Sequence, residues 1–250
     1  MKGVILLQPE KLCAQIVQWL QEQVYASGGK GGVFGLSGGL DSAVVAGLCK
    51  KAFGTYCLGV IMPCLSQEMD TQHALEAANS FALPYQIVNL DNTYYALLSA
   101  LNVELAEHSP NELALANIKP RLRMTVLYYY AAVKGYRVMG TGNKSEIYIG
   151  YFTKHGDGAA DLEPLGDLTK SEVKELGAYL GVPRIIIEKK PTAGLWEGQT
   201  DEGEMGFSYE QLDRYLKGQP LEEEIREKIV SLHDQSEHKR LLPPIFQRKA

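Results

Sequence analysis

The segment Val33-Phe34-Gly35-Leu36-Ser37-Gly38-Gly39-Leu40-Asp41-Ser42 decides the fold of this chain. It begins as a short apolar run, passes through a serine and two glycines, and continues into residues 40–53, which are mostly good helix formers. This pattern predicts a strand, a glycine turn and a helix, although it is neither a Walker A sequence nor a G-x-G-x-x-G turn. Glycines let backbone N–H groups converge on an anion, and the start of the next helix adds to the attraction. The segment is therefore a candidate phosphate loop.

The rest of the chain alternates between apolar runs and segments with helical spacing, which is the order expected of an α/β protein. Because the predicted strands read as nearly continuous apolar runs, we expect a parallel, twisted sheet with helices on both faces. Two capping boxes, Thr169 with Glu172 and Ser208 with Gln211, predict further helices near the C-terminal end. The predicted strands are 33–36, 57–62, 85–90 and 136–141, and the predicted helices are 9–26, 40–53, 67–82 behind a Ser66 cap, 93–107, 112–134 and 209–217.

The composition is that of a folded protein without a membrane span. Of 250 residues, 45% are hydrophobic and 22% are charged, and the formal net charge is −5. No apolar run approaches the ~20 residues that cross a bilayer, and a net acidic chain is a poor partner for nucleic acid. The 4 cysteines form no C-x-x-C pair, which is typical of reduced thiols in the cytoplasm. We expect a single domain over residues 1–250.

Two acidic residues at the predicted carboxyl edge of the sheet are candidate magnesium ligands. Asp41 adjoins the phosphate loop, and Glu146 ends the segment 140–146, which follows the last predicted strand. The carboxyl ends of parallel strands share one edge, so both side chains are expected there. A carboxylate beside a phosphate is repulsive unless a cation lies between them, and Mg²⁺ binds through one or two carboxylates plus phosphate oxygens. The alternative is that both are ordinary first-turn acids favoured by the helix dipole.

The glycine-rich loop 151–161 supplies further polar candidates. Lys154 is a candidate partner for an anionic ligand, whereas Asp157 and Asp161 can accept hydrogen bonds from hydroxyls or from a nucleophile. The alternative for all three is a set of solvated charges on a surface loop.

The segment 117–124 carries two arginines that are separated by one residue. On a helix, Arg121 and Arg123 point about 200° apart, so at most one of them faces a given site. Pro120 lies directly before Arg121 and fits only the first turn of such a helix. The alternative is that both arginines lie on the surface.

Seven segments occur in an order that resembles the ammonia-dependent NAD⁺ synthetases, a branch of the N-type ATP pyrophosphatases. They are GLSGGLDS (35–42), NIKPRLRM (117–124), GTGNKSE (140–146), YFTKHGDGAADLEPLGDLTKSEV (151–173), PTAGLWEGQTDEGEMG (191–206), SYEQLDRYL (208–216) and EHKR (237–240). The resemblance covers most of the chain, from residue 31 to the end. It implies the α/β fold of the adenine nucleotide alpha hydrolases, with a helical elaboration at the C-terminal end.

The resemblance implies ATP-dependent amidation of deamido-NAD⁺ (nicotinic acid adenine dinucleotide). Ammonia would attack an adenylated nicotinate carboxyl, and AMP and pyrophosphate would be released. The resemblance implies Asp41 and Glu146 as Mg²⁺ ligands, Asp157 as the carboxylate that handles ammonia, and Lys170 as a catalytic residue. The residues implied for ATP are Gly35, Leu36, Ser37, Gly38, Gly39, Leu40, Asp41, Ser42, Thr141, Lys170 and Thr192, and those implied for deamido-NAD⁺ are Arg121, Lys154, Asp161, His238 and Lys239.

The resemblance also implies a homodimer whose dinucleotide site lies at the subunit interface. Because the glutaminase domain of longer relatives is missing, we expect free ammonia or a separate glutaminase subunit as the nitrogen source, although nothing in the sequence indicates such a subunit. The segment 193–206, with Leu195, Trp196 and 4 acids, is a candidate lid that excludes water from the adenylate.

Two other functions stay open at this point. Another N-type ATP pyrophosphatase, one that activates a tRNA base for thiolation, would predict a basic surface and paired cysteines, and the sequence offers neither. A nucleotide-binding module without turnover would keep the phosphate loop. The presence of Asp41, Glu146, Asp157 and Lys170 counts against that second alternative.

Overall fold

The computed structural model describes residues 8–103, 112–192 and 200–248. Within these ranges the strands are β1 (Gly32–Gly35), β2 (Cys57–Ile61), β3 (Tyr85–Ile87) and β4 (Arg137–Val138). The helices in the same ranges are α1 (Pro9–Ala26), α2 (Leu40–Phe53), α3 (Glu68–Ser80), α4 (Asp91–Ala100), α5 (Glu112–Ala116), α6 (Ile118–Lys134), α7 (Lys144–Ile149), α8 (Lys170–Leu180), α9 (Arg184–Ile187), α10 (Asp201–Met205), α11 (Tyr209–Leu216), α12 (Glu223–Gln235) and α13 (Glu237–Arg240).

The four described strands form one parallel sheet in the order β3-β2-β1-β4. Gly32 of β1 lies opposite Cys57 of β2 on one side and Arg137 of β4 on the other, so β1 is an interior strand. The predicted α/β fold with a parallel sheet is confirmed. Because all four strands run in the same direction, the turns that follow β1, β2 and β4 meet at one edge, where ligands bind in sheets of this type.

Helices cover both faces of the sheet, as the apolar strands predict. Phe34 points into a cluster with residues of α1, α2 and α8, whereas its neighbour Val33 points into a second cluster with residues of α4 and α6. Both side chains are 0% exposed. Burial of each side chain contributes about 2 kcal/mol to folding. Because successive side chains of β1 are buried on opposite faces, the strand is fixed in the sheet, and so is the position of its carboxyl end.

The C-terminal helices form a third apolar cluster beside the sheet. Ile149 of α7 packs there with Leu212 of α11 and Ile229 of α12. Both predicted capping boxes are present, at Thr169 before α8 and at Ser208 before α11. The predicted helical elaboration is therefore confirmed, and it packs directly against the helix that carries Glu146.

Three local predictions differ from the structure. The helix predicted over 112–134 is broken at Asn117 into α5 and α6, because Pro120 has no N–H to donate to Ala116 O and its ring clashes with that carbonyl. The Ser66 cap is wrong: α3 begins after Gln67, and Ser66 Oγ instead accepts from Cys64 N at 3.2 Å. The helix predicted over 93–107 ends earlier, since α4 stops at Ala100, and residues 104–107 lie outside the described residues.

Pro120 lies in the first turn of α6, where its ring is tolerated. None of the described helices combines the length and the apolar character needed to cross a membrane.

Candidate active site

The turn between β1 and α2 is built from its own serines and glycines. Ser37 N donates to Ser42 Oγ at 3.2 Å, and the two serine hydroxyls lie 3.0 Å apart. Ser42 Oγ in turn donates to Gly39 O at 3.0 Å. These bonds hold the turn as a compact loop at the start of α2, where unpaired N–H groups and the helix dipole favour an anion.

Gly38 is the turn residue for which the backbone and its surroundings both require glycine. Its φ is +77°, a conformation that residues with a side chain rarely adopt. Helix α3 packs directly over it, so a Cβ at this position would collide with Asp70 O and would lie 3.0 Å from His73 Cβ. The close approach of α3 therefore fixes the position of the phosphate turn relative to that helix.

The substitution Gly38→Ala is expected to weaken ATP binding about 100-fold, because the turn must move away from α3 and its N–H groups lose their convergence. The matched control is Gly181→Ala, because Gly181 has φ +84° and a Cβ added there would meet nothing within 4 Å. Both variants carry the same kind of backbone strain, about 1 kcal/mol, but only the first disturbs the turn. Isothermal titration with ATP and Mg²⁺ measures the difference, and equal affinities of the two variants would contradict the role of the turn.

Asp41 and Glu146 lie on either side of one ammonium group. Lys170 Nζ is 2.5 Å from Asp41 Oδ2 and 2.9 Å from Glu146 Oε1. The side chain of Lys170 is 11% exposed and each carboxylate is 17% exposed, so the three groups interact with little solvent screening. The two predicted magnesium ligands and the predicted catalytic lysine are thus neighbours, although Asp41 and Lys170 are 129 positions apart in the sequence.

The charges of this triad are set by burial and by each other. Burial alone lowers the pKa of Lys170, but the charges of Asp41 and Glu146 outweigh it and raise that pKa above its usual range, so the ammonium stays protonated. Desolvation raises the pKa of Glu146 to about 7, with Lys170 opposing the rise and Asp41 adding to it. The lysine therefore keeps two carboxylates together that would otherwise repel each other.

Two residues that the sequence did not single out hold the triad in place. Asn143 donates from Nδ2 to Asp41 Oδ1 at 2.9 Å, and its Oδ1 accepts from Glu146 N at 3.0 Å as the cap of α7. Tyr209 Oη lies 3.0 Å from Glu146 Oε1 and 2.9 Å from Asp201 Oδ2. The N-cap spacing from Asn143 to Glu146 was visible in the sequence. Nothing local indicated Tyr209.

The donor set fits a magnesium ion that arrives with a nucleotide. Both ligand groups are carboxylate oxygens, which Mg²⁺ prefers, and two of them suffice when phosphates and waters complete the coordination. Among the described residues there is no group of three or more Asp, Glu, His or Cys side chains that would hold a resident metal by itself. The arrangement therefore suits a metal whose coordination is completed by phosphates and waters.

A pocket of about 650 Å³ opens in front of the triad, within the size range of small-molecule sites. Asp157 and Lys239 line this pocket, and so do most of the residues implied for ATP. The ATP residues in the pocket wall are Gly35, Leu36, Ser37, Gly39, Leu40, Asp41, Ser42, Thr141, Lys170 and Thr192. Gly38 lies behind this wall, against α3. Arg123 also lines the pocket and donates from Nε to Met62 O at 3.1 Å, so it is the arginine of the pair that faces the site.

Most of the residues implied for deamido-NAD⁺ lie outside this pocket wall. Arg121 is exposed and donates from Nη2 to Lys154 O at 3.3 Å, and Lys154 Nζ in turn donates to His238 O. Asp161 Oδ2 accepts from Val138 N at 2.8 Å at the end of β4. Lys239 Nζ donates to Gly150 O at 2.7 Å and does reach the pocket. Arg121, Lys154 and His238 thus form a separate outer group near the C-terminal end.

Asp157 lies in the pocket wall on the loop 151–161. Its Oδ1 accepts from Thr153 N at 2.9 Å, which orients the carboxylate. Although the residue keeps an exposed surface, desolvation by the surrounding wall raises the pKa of its carboxyl, with the Thr153 hydrogen bonds opposing the rise. The candidate lid 193–206 is described only in its second part: residues 193–199 lie outside the described residues, and Asp201 and Glu204 of α10 line the pocket.

Glu163 packs against the segment 140–146. The Glu163 carboxyl lies directly against Gly140, so a Cβ added to Gly140 would collide with it. The Gly142 N–H donates a hydrogen bond to the same carboxyl. Its buried Oε2 has no hydrogen-bond partner among the described residues. Desolvation raises the pKa of this carboxyl to about 8, against the effect of the Gly142 hydrogen bond. The folded protein therefore favours the protonated acid.

This shift predicts that the free energy of unfolding falls as the pH rises from 4.5 to about 8, because the folded state holds a proton that the unfolded state releases. Glu163→Gln mimics the neutral acid and should flatten that slope by roughly 2–4 kcal/mol over the window. Urea denaturation at several pH values measures it. The exposed Glu227→Gln is the matched control, and equal slopes for wild type and Glu163→Gln would contradict the prediction.

Together, the sheet, the turn after β1 and the carboxylate–lysine triad define an α/β nucleotide-binding protein. The family model for NAD synthase matches residues 12–243. The chain is 52% identical over 236 residues to the NH(3)-dependent NAD(+) synthetase of Carboxydothermus hydrogenoformans, covering 94% of this chain and 97% of that protein. The chain therefore belongs to the NAD synthase family.

Two solved structures are similar over nearly the whole chain. The NMN synthetase from Francisella tularensis has a TM-score of 0.91 and 40% sequence identity, covering 97% of this chain and 100% of that one. The NH3-dependent NAD synthetase from Campylobacter jejuni, in complex with the nitrate ion, has a TM-score of 0.79 and 30% identity, covering 96% and 100%.

Proposed function

We propose that this chain catalyses the ATP-dependent amidation of deamido-NAD⁺ to NAD⁺ with ammonia as the nitrogen donor. The observation that carries the proposal is the triad of Asp41, Lys170 and Glu146 beside the phosphate turn, within a chain that belongs to the NAD synthase family. The site residues proposed for each substrate are those named from the resemblance, with Asp41 and Glu146 holding Mg²⁺.

The first step joins the nicotinate carboxylate to the α-phosphorus of ATP and breaks the bond to pyrophosphate. A carboxylate is already ionised at neutral pH, so this step needs no general base and depends on positioning and charge. The N–H groups of the turn and the Lys170 ammonium face the phosphates and stabilise the charge that develops on the leaving pyrophosphate. Asp41 and Glu146 would hold Mg²⁺, which would supply further charge neutralisation at the phosphates.

The second step joins ammonia to the acyl carbon and releases AMP. Ammonium must first lose a proton, and Asp157, which lines the pocket, is the carboxylate proposed to accept it. Desolvation raises the pKa of Asp157, which makes its carboxylate a better proton acceptor. Water must stay out during this step, since the acyl-adenylate would otherwise hydrolyse.

The deciding experiment follows pyrophosphate and NAD⁺ release from ATP, Mg²⁺ and deamido-NAD⁺, with NH₄Cl in one arm and glutamine in the other. We expect equal amounts of both products with NH₄Cl and little product with glutamine. ATP binding without turnover would indicate a nucleotide-binding module that is not an enzyme. Turnover that requires a tRNA base would indicate another ATP pyrophosphatase, which the net charge of −5 does not favour.

The likeness to a protein described as an NMN synthetase makes the mononucleotide acid a second candidate substrate. The chemistry at the nicotinate carboxyl is the same for both, so the pocket has to discriminate by the adenylate half of the dinucleotide. The ratio of kcat/KM for nicotinic acid adenine dinucleotide and nicotinic acid mononucleotide decides between them. We expect the dinucleotide to be preferred, in keeping with the more similar relative.

We also propose a homodimer with the dinucleotide site at its interface. Apolar side chains on α6 and in the C-terminal segment lie exposed, Tyr129 at 63%, Val133 at 65% and Phe246 at 87%. Large exposed apolar groups of this kind suit a subunit contact. Sedimentation equilibrium measures the state, and a monomer at micromolar concentration would contradict the proposal.

A single domain over residues 1–250 and a cytoplasmic location remain proposals as well. The match of one family model to residues 12–243 supports the first. The four described cysteines are free and buried, which supports a reducing compartment.

A further inference from the structure

A buried carboxylate outside the pocket connects the first residues of two helices. Asp213 on α11 is 3% exposed. Its Oδ1 accepts from Ser145 Oγ at 2.7 Å, and its Oδ2 accepts from Ser171 N at 2.9 Å and from Ser171 Oγ at 2.5 Å. Asp213 does not line the pocket.

Each partner of Asp213 is the chain neighbour of a residue in the triad. Ser145 precedes Glu146 in the first turn of α7, and Ser171 follows Lys170 at the start of α8. Ser145 Oγ also accepts from Lys170 N at 3.2 Å, which joins the two helix starts directly. A shift of either helix start would thus move Glu146 or Lys170.

A carboxylate is an expensive group to use for packing. Burying it costs several kcal/mol unless hydrogen bonds replace the lost water, and here three donors do so in a fixed geometry. A negative charge at the start of α8 also interacts favourably with the helix dipole. The arrangement therefore holds the two helix starts at one distance and orientation, more rigidly than an apolar contact would.

We propose that Asp213 is a positioning residue that sets the distance between Lys170 and Glu146, and so the geometry of the phosphate and metal site. The inference rests on the proposed function. It gives the C-terminal helical elaboration an indirect role in catalysis, because α11 carries the carboxylate that holds the starts of α7 and α8 together.

The test is Asp213→Asn, which keeps the shape but places an N–H₂ group against donors. Removing a partner that orients a metal-site residue typically costs 10–100-fold. We expect kcat to fall by about that factor and the dissociation constant for ATP with Mg²⁺ to rise about 10-fold. The KM for deamido-NAD⁺ should change less than about twofold, since the outer group does not depend on α8. Glu210→Gln, an exposed position on the same helix, is the matched control and should behave as wild type.

A double-mutant cycle separates positioning from a general loss of structure. If Asp213 acts through Lys170, Asp213→Asn should leave the ATP dissociation constant of Lys170→Met nearly unchanged, within about twofold. An equal loss of affinity in both backgrounds would overturn the proposal, as would wild-type ATP affinity and kcat for Asp213→Asn. If Asp213→Asn does not fold, the same cycle is run with Ser145→Ala, where independent effects would overturn the proposal. A wild-type chain without ATP binding would instead refute the proposed function.

Discussion

Replacing Asp41 by alanine is expected to reduce NAD⁺ formation by at least about 10³-fold while the protein stays folded. Asp41 Oδ2 lies 2.5 Å from Lys170 Nζ, and Asp41 Oδ1 accepts from Asn143 Nδ2 at 2.9 Å, so the carboxylate is held in place at the start of α2, where we propose that the nucleotide phosphates bind. Without it, the proposed magnesium site would lose one of its two carboxylates. Charge stabilisation that forms only during pyrophosphate departure is then lost.

The measurement is single-turnover NAD⁺ formation with saturating ATP, together with circular dichroism and the thermal midpoint. Asp167→Ala is the matched control, because Asp167 is an exposed aspartate whose ion pair with Lys144 lies on the surface. Exposed pairs contribute at most about 1 kcal/mol, so this variant should keep its activity and fold. Unimpaired turnover of Asp41→Ala would remove Asp41 from the metal site.

Replacing Lys170 by methionine is expected to lower both stability and activity. The change leaves two carboxylates, each 17% exposed, facing each other without their counterion. Breaking a buried pair in this way costs about 3 kcal/mol, which lowers the thermal midpoint by roughly 10 °C in a chain of this size. Turnover should fall at least about 100-fold, because the ammonium that faces the leaving phosphates is gone.

The loss of stability should depend on pH in a defined direction. In wild type, desolvation raises the pKa of Glu146 to about 7 and Lys170 opposes the rise, so removing the lysine raises that pKa further. At low pH the carboxyl of the variant takes up a proton and the repulsion disappears. The destabilisation should therefore be larger at pH 8.5 than at pH 6.

Urea denaturation in metal-free buffer at these two pH values measures the effect. Lys174→Met, an exposed lysine one turn along α8, is the matched control for stability and should change it by less than about 0.5 kcal/mol. A Lys170→Met protein as stable as the control at pH 8.5 would contradict the ion triad.

Local patterns predicted the elements that carry the site but not all of their ends. The helix over 40–53 and the helix over 9–26 coincide with α2 and α1, since apolar spacing and the flanking glycines both act over a few residues. Strand ends were predicted too long: 85–90 became β3 at Tyr85–Ile87. A strand ends where its hydrogen bonds to the neighbouring strand end, and that neighbour is distant in sequence.

The choice between Arg121 and Arg123 shows the same limit at the site. Helical spacing predicted that at most one of them faces the pocket. The packing of α6 against the sheet puts Arg123 in the pocket wall. Arg121 remains at the surface beside Lys154. Which face of a helix is buried depends on what lies next to it, and two arginines with one residue between them carry no such information.

The order of residues along the chain was enough for the phosphate turn, the parallel α/β arrangement, the capping boxes and the family, because each of these depends on short-range chemistry or on motif order. Folding was needed to bring Asn143 to Asp41 across 102 positions, Tyr209 to Glu146 across 63 and Ser145 to Asp213 across 68. These contacts arise where separate helices pack at one edge of the sheet. Polar side chains that meet only through such packing leave no periodic trace in a single sequence.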